Sequence, residues 1–157
     1  MAGRVPRSRA EQLAGYRRVL EARDLATSPD RLRVLADDEV GPVRVWAGLS
    51  PRTPPDALER LAHDEDDYVR RIAMLHPNTP EAALRHMAAL ETVRAGDRYF
   101  LDRETIAHHP NVSRALRNAL VGEGTCRDRR ECRESKSMWR NRSLKLQRRL
   151  SGGAGSR

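Results

Sequence analysis

Apolar residues recur along this chain at helical spacing, in short bursts separated by turn-forming residues. Leu32, Leu35 and Ala36 fall at i, i+3 and i+4, as do Leu58, Leu61 and Ala62, and again Leu84, Met87 and Ala88. Each burst places one stripe against a core and the remainder in water, as a short amphipathic helix does. A second kind of burst follows the first: Val43, Trp46 and Ala47, then Val69, Ile72 and Ala73. These predict helices from Pro42 to Leu49 and from Tyr68 to Leu75, each stopped by a proline shortly beyond it. Ser28, Thr53 and Thr79 stand before Pro29, Pro54 and Pro80, and read as N-caps followed by proline at the first helical position, where no amide donor is missed. The acid clusters Asp37-Asp38-Glu39 and Asp64-Glu65-Asp66-Asp67 mark the turns between the two helices and suit the positive end of the second.

The bursts are copies of one unit. An offset of 26 residues carries Leu32 to Leu58, Leu35 to Leu61, Ala36 to Ala62, Asp38 to Asp64, Val43 to Val69, Arg44 to Arg70, Ala47 to Ala73 and Pro51 to Pro77. So many coincidences at one spacing define a repeat. A third copy begins at Thr79-Pro80, and Ile106-Ala107-His108-His109-Pro110 matches the segment ending at Pro77 once about seven residues are inserted between 90 and 103. The expected fold is all-α: an α-solenoid of about three to four helix-pair repeats with flanking cap helices. Residues 8–23 are one expected cap, with Leu13, Tyr16, Val19 and Leu20 turned inward and Arg17, Arg18, Glu21 and Arg23 facing water. A helix after Asn111-Val112-Ser113, carrying Leu116, Ala119 and Leu120, is the other. The division that follows is an arm and cap over 1–24, a repeat domain over 25–122 and a tail over 123–157.

The pattern Leu-x-x-Leu-Ala-x-Asp-x-x-x-x-Val-Arg-x-x-x-Ala-x-x-x-Pro-x-Thr-Pro resembles the leucine-rich repeat variant, whose helix pairs stack into a right-handed superhelix. It is also similar to HEAT repeats, which share the Asp-x-x-x-x-Val-Arg element, here Asp38 to Val43-Arg44 and Asp64 to Val69-Arg70. The resemblance covers about residues 25–120 and implies a short right-handed α-solenoid that serves as a binding scaffold; it names no partner. Some leucine-rich repeat variant proteins hold an N-terminal iron–sulfur cluster on several cysteines. This chain has no cysteine before Cys126, so that cofactor is not carried over and none is expected.

Composition narrows the function classes. The 157 residues are 38% hydrophobic and only 4% aromatic, which furnishes one modest core and no large aromatic-lined cavity for a cofactor. No apolar run approaches the roughly 20 residues that cross a bilayer, so no integral membrane association is expected. MAGRVPRSRA lacks the apolar segment of a secretory signal. With its two cysteines, Cys126 and Cys132, both in the tail, the chain is expected to be cytoplasmic. The formal charge of +8 is uneven: residues 1–122 carry +1 and residues 123–157 carry +7.

Candidate chemistry is sparse. Arg44 and Arg70 recur with Asp38 and Asp64, so the expectation is an ion-paired row tying neighbouring repeats, the alternative being a guanidinium ladder for phosphate or acidic peptide. His63, His76, His86, His108 and His109 include no HExxH and no i, i+4 pair with a carboxylate in step, and Cys126 and Cys132 lack further ligands, so no metal site is expected. No phosphate loop, G-x-S-x-G or paired catalytic carboxylate stands out, and the chain is read as a non-enzyme. A protein or peptide partner is expected on the second helices, at Val45, Leu49, Arg71, Met74 and Leu75. The other reading is nucleic acid bound through the flexible basic tail, by Arg129, Arg130, Arg133, Arg140, Arg142, Arg148 and Arg149 on phosphates and Trp139 stacked on a base. The insertion at 91–102 brings Tyr99 and Phe100, expected to fill the core of the third repeat.

Overall fold

The computed structural model describes residues 8–90, 103 and 105–122. Within them all regular structure is helical: α1 (Arg9–Arg23), α2 (Pro29–Leu35), α3 (Gly41–Leu49), α4 (Pro55–Leu61), α5 (Asp67–Leu75), α6 (Glu81–Leu90) and α7 (Arg114–Gly122), with a further helical stretch at 105–107. The expected core role of Tyr99 and Phe100 and the whole tail from 123 onward lie outside the described residues.

The helices form two layers. The second helices α1, α3 and α5 pack side by side, and the first helices α2, α4 and α6 lie next to one another behind them. Between the layers sits the core foreseen from periodicity: Leu32, Leu35, Leu58, Leu61 and Leu84 from the first helices, and Val43, Ala47, Val69 and Ala73 from the second, are all buried. Trp46 is only half-buried, packed against this core from outside.

The helix starts differ from the sequence reading in an instructive way. Ser28 does cap α2, its hydroxyl accepting from the Arg31 amide at 3.2 Å. Thr53 and Thr79 do not cap α4 and α6. Pro54 occupies the N-cap position of α4 and Pro55 its first turn. The two threonines are buried, and their hydroxyls donate backward to the carbonyls of Ala47 and Ala73 at the ends of α3 and α5. Thr27 does the same to Glu21 at 2.6 Å. Each threonine thus adds a second donor to a last-turn carbonyl that the C-cap amide also reaches, and the 26-residue spacing of Thr27, Thr53 and Thr79 extends the repeat back to α1.

That register corrects the assignment of α1. Arg18 stands 26 residues before Arg44, so α1 is a second helix of the array, with the faces set accordingly. Gly15 and Ala22 are its buried residues, while Leu13, Tyr16 and Leu20, expected to face the core, are exposed. Arg18, expected in water, is half-buried in an ion pair. At the other end Ser113 starts α7 as foreseen, accepting from the Leu116 amide at 3.2 Å, and Leu116 and Leu120 are buried.

Candidate interaction surface

The arginine row is used internally. Arg18 grips Asp38 with Nε at 2.6 Å and Nη2 at 3.2 Å. One unit later Arg44 grips Asp64 with Nε at 2.6 Å and Nη2 at 3.1 Å. Arg44 also donates Nη1 to the Asp38 carbonyl at 2.9 Å, and Arg70 donates Nη1 to the Asp64 carbonyl at 2.6 Å. Arg44 therefore holds both the carboxylate of the following turn and the backbone of the preceding one, Arg18 the first of these and Arg70 the second. The aspartates are preset for this: Oδ1 of Asp38 and of Asp64 accepts the amide two residues on, at 2.9 Å in both cases. The hydrogen bond to Asp64, ahead of burial that opposes it, holds the Arg44 guanidinium charged more firmly than in water, and Arg18 gains likewise from Asp38. Arg70 ends the pattern differently, paired with Asp67 on its own helix. The paired row expected from sequence is thus present at Arg44, and Arg18 is a member the sequence reading missed; its signal was the same 26-residue step.

A second column runs through the ends of the second helices. His76 Nε2–H donates to the Ser50 carbonyl at 3.0 Å, and its Nδ1 accepts from the Asn78 amide at 3.1 Å. His109 repeats this 33 residues on, with Nε2–H to the His76 carbonyl at 2.9 Å and Nδ1 accepting from Asn111 at 3.1 Å. The inserted seven residues leave this junction unaltered. Both rings are neutral and have both nitrogens engaged. Burial pushes the His76 pKa down against the bond to Ser50, and pushes that of His109 down to about 4. His63 and His86 stack with centroids 3.7 Å apart, and His86 is lowered by burial, by His63 and by Arg70.

The outward face of α3 and α5 is what these ladders leave for a partner. Of the five residues expected there, Arg71 is exposed and Val45 and Leu75 are half-buried. Leu49 and Met74 are buried, which corrects their place among the exposed candidates: Met74 belongs to the core, and Leu49 is covered at the repeat position where Leu75 is half-buried. The face also presents Tyr68 and Pro42, which are exposed, and Trp46, over whose ring the Arg23 guanidinium lies at 4.5 Å. Sequence reasoning placed Trp46 in the core because a large apolar residue at a core-phase position normally goes there. The tail residues Arg129, Arg130, Arg133, Trp139, Arg140, Arg142, Arg148 and Arg149 lie outside the described residues.

Two layers of short helices joined by identical bonds at a fixed step define a helical repeat array. Residues 43–66 match the family model described as leucine rich repeat variant, in keeping with the resemblance of the sequence. The matched stretch runs from α3 through α4 and includes the Arg44–Asp64 rung. No curated protein and no solved structure matched the chain. Among the described residues no helix is long and apolar enough to cross a membrane.

Proposed function

We propose that this chain is a non-catalytic cytoplasmic scaffold that binds a protein or peptide through the outward face of its second helices. One observation carries the reading. The side chains of the candidate chemistry, Arg44, His76 and His109, are spent on junctions between units together with Arg18, while Tyr68 and Arg71 stay exposed on α5 and Val45, Trp46 and Leu75 are half-buried on α3 and α5. Aromatic residues and arginine are the types enriched at binding hot spots, since they bring large contact area at small entropic cost. Tyr68, Arg71, Val45 and Leu75 are the contact residues of this reading, with Trp46 as an anchor already stiffened by Arg23.

The test is selection of displayed peptides on the full-length chain, followed by affinity measurements on Tyr68→Ala, Arg71→Glu and Leu75→Ala. The selected peptides are expected to compete with one another and to lose about tenfold or more in affinity with Arg71→Glu. Peptides indifferent to all three substitutions would remove this face from consideration. A second reading, nucleic acid bound by residues 123–157, is favoured by the seven net positive charges concentrated there.

A further inference from the structure

Leu20, Trp46 and Ile72 occupy one repeat position, 26 residues apart, on α1, α3 and α5. Ile72 is 3% exposed and reaches back onto α3, where its Cγ2 lies only 3.0 Å from where a Cβ would stand on Gly48. Trp46 meets α1 through Arg23. Leu20 has no such helix before it among the described residues, and is 44% exposed. Leu13 and Tyr16, at 53% and 60%, continue its stripe at i, i+3 and i+7 along the 15 residues of α1. Three large apolar side chains in line on one helix make a patch of the kind that marks an association surface.

We propose that this face of α1 joins two copies of the chain, as an antiparallel α1–α1 pair about a twofold axis. The stripe is complementary to itself on reversal. Turning one helix end for end about the point between Tyr16 and Arg17 sets Leu13 opposite Leu20 of the second copy, Tyr16 opposite Arg17, and Arg9 opposite Asp24. A twofold makes every one of these pairs twice. The intervening positions bring no like charges together: Glu11 meets Ala22, Ala10 meets Arg23 and Gln12 meets Glu21. Arginine over the Tyr16 ring repeats the chemistry already used by Arg23 and Trp46. The Arg9–Asp24 pairs close both ends of the stripe with opposite charges. A pair of helices about 22 Å long buries less than a standard interface, so the association is weak, with Kd on the order of tens of micromolar. The partner face on α3 and α5 stands or falls separately from it.

Sedimentation equilibrium of the full-length chain from about 5 to about 500 μM reads the association directly. A monomer giving way to a dimer is expected, with Leu13→Glu/Leu20→Glu raising Kd at least about tenfold at unchanged helical circular dichroism, because both side chains are exposed. Orientation is read by oxidising a mixture of Leu13→Cys and Leu20→Cys chains, each also carrying Cys126→Ser and Cys132→Ser. Mixed 13–20 disulfides are expected in preference to 13–13 or 20–20. A chain that stays monomeric over the whole range, a dimer that survives the glutamates, or a preference for like-to-like disulfides would each overturn the proposal. A monomer whose unfolding midpoint falls with Leu20→Glu would also overturn it, by assigning the face to another part of the same chain.

Discussion

Arg44 and Asp64 are 11% and 8% exposed in their side chains, so their pair is largely out of water, and removing one partner strands the other. Arg44→Ala is therefore expected to cost about 3 kcal/mol in urea unfolding. Arg33→Ala, which breaks pairs with Asp56 and Asp30 on the solvent side of the first helices, is expected to shift the midpoint far less. Equal effects of the two substitutions would refute the inward role of the row. His109 gives a different signature. Its folded pKa of about 4 lies below the ordinary 6.5, so the unfolded chain binds the proton more readily, and the stability this ring contributes is complete above pH 6.5 and lost as pH falls toward 4. For this ring alone the loss approaches about 3 kcal/mol. Unfolding measured from pH 7 to pH 4.5 should show a shallower decline for His109→Gln than for the parent chain. A residue-level reading of the sequence could find Arg44 with its carboxylate, because both recur. It could not find the direction in which a threonine hydroxyl turns: Thr53 before Pro54 has the look of a cap, yet the hydroxyl serves the carbonyl of Ala47 behind it.

Helix α3 is tightly packed in its last turn, at a glycine. At Gly48 a Cβ would stand 3.0 Å from Ile72 Cγ2 and 3.1 Å from Leu61 Cδ1, so α5 and α4 both press on this point. Gly48→Leu is expected to destabilise by about 2–3 kcal/mol through overpacking, despite leucine's better helix propensity. A thermal midpoint at or above that of the parent would show that the layers can slide apart at no cost. Element boundaries were largely legible: the expected spans of α3 and α5 begin one residue late and end on the same leucines as the structure. The facing of α1 was not. Leu13, Tyr16 and Leu20 have core-like identity and spacing, but a residue turned toward a neighbouring unit and one turned away from the described array look the same in sequence. Only the phase given by Arg18 and Thr27 separates them.

Across the whole molecule charge is unevenly divided. The array through residue 122 is nearly neutral and internally paired, and residues 123–157 carry the excess. If nucleic acid binds through that excess, the affinity of the full chain for mixed-sequence DNA should fall on the order of a thousandfold between about 50 and about 200 mM salt, for some six phosphate contacts. A chain ending at residue 122 should then show none of this binding in fluorescence anisotropy. Salt-insensitive binding, or binding retained by the shorter chain, would transfer the activity to the array. Because each unit bonds only to its neighbours, the stability of the array is close to a sum over units and junctions.

The bare backbone at Gly48 makes growth and loss of units unequal. A duplicated 26-residue block from 41 to 66 would set the copied Trp46 against Gly48, one methyl group smaller than the Ala22 at the equivalent position of α1, and would repeat the Arg44–Asp64 rung. Excision of the same block would bring Ile72 down on Ala22, a residue with the methyl group that the native contact excludes. Such an array lengthens by a step its packing accepts and shortens by one its packing resists, a difference set by a single missing side chain.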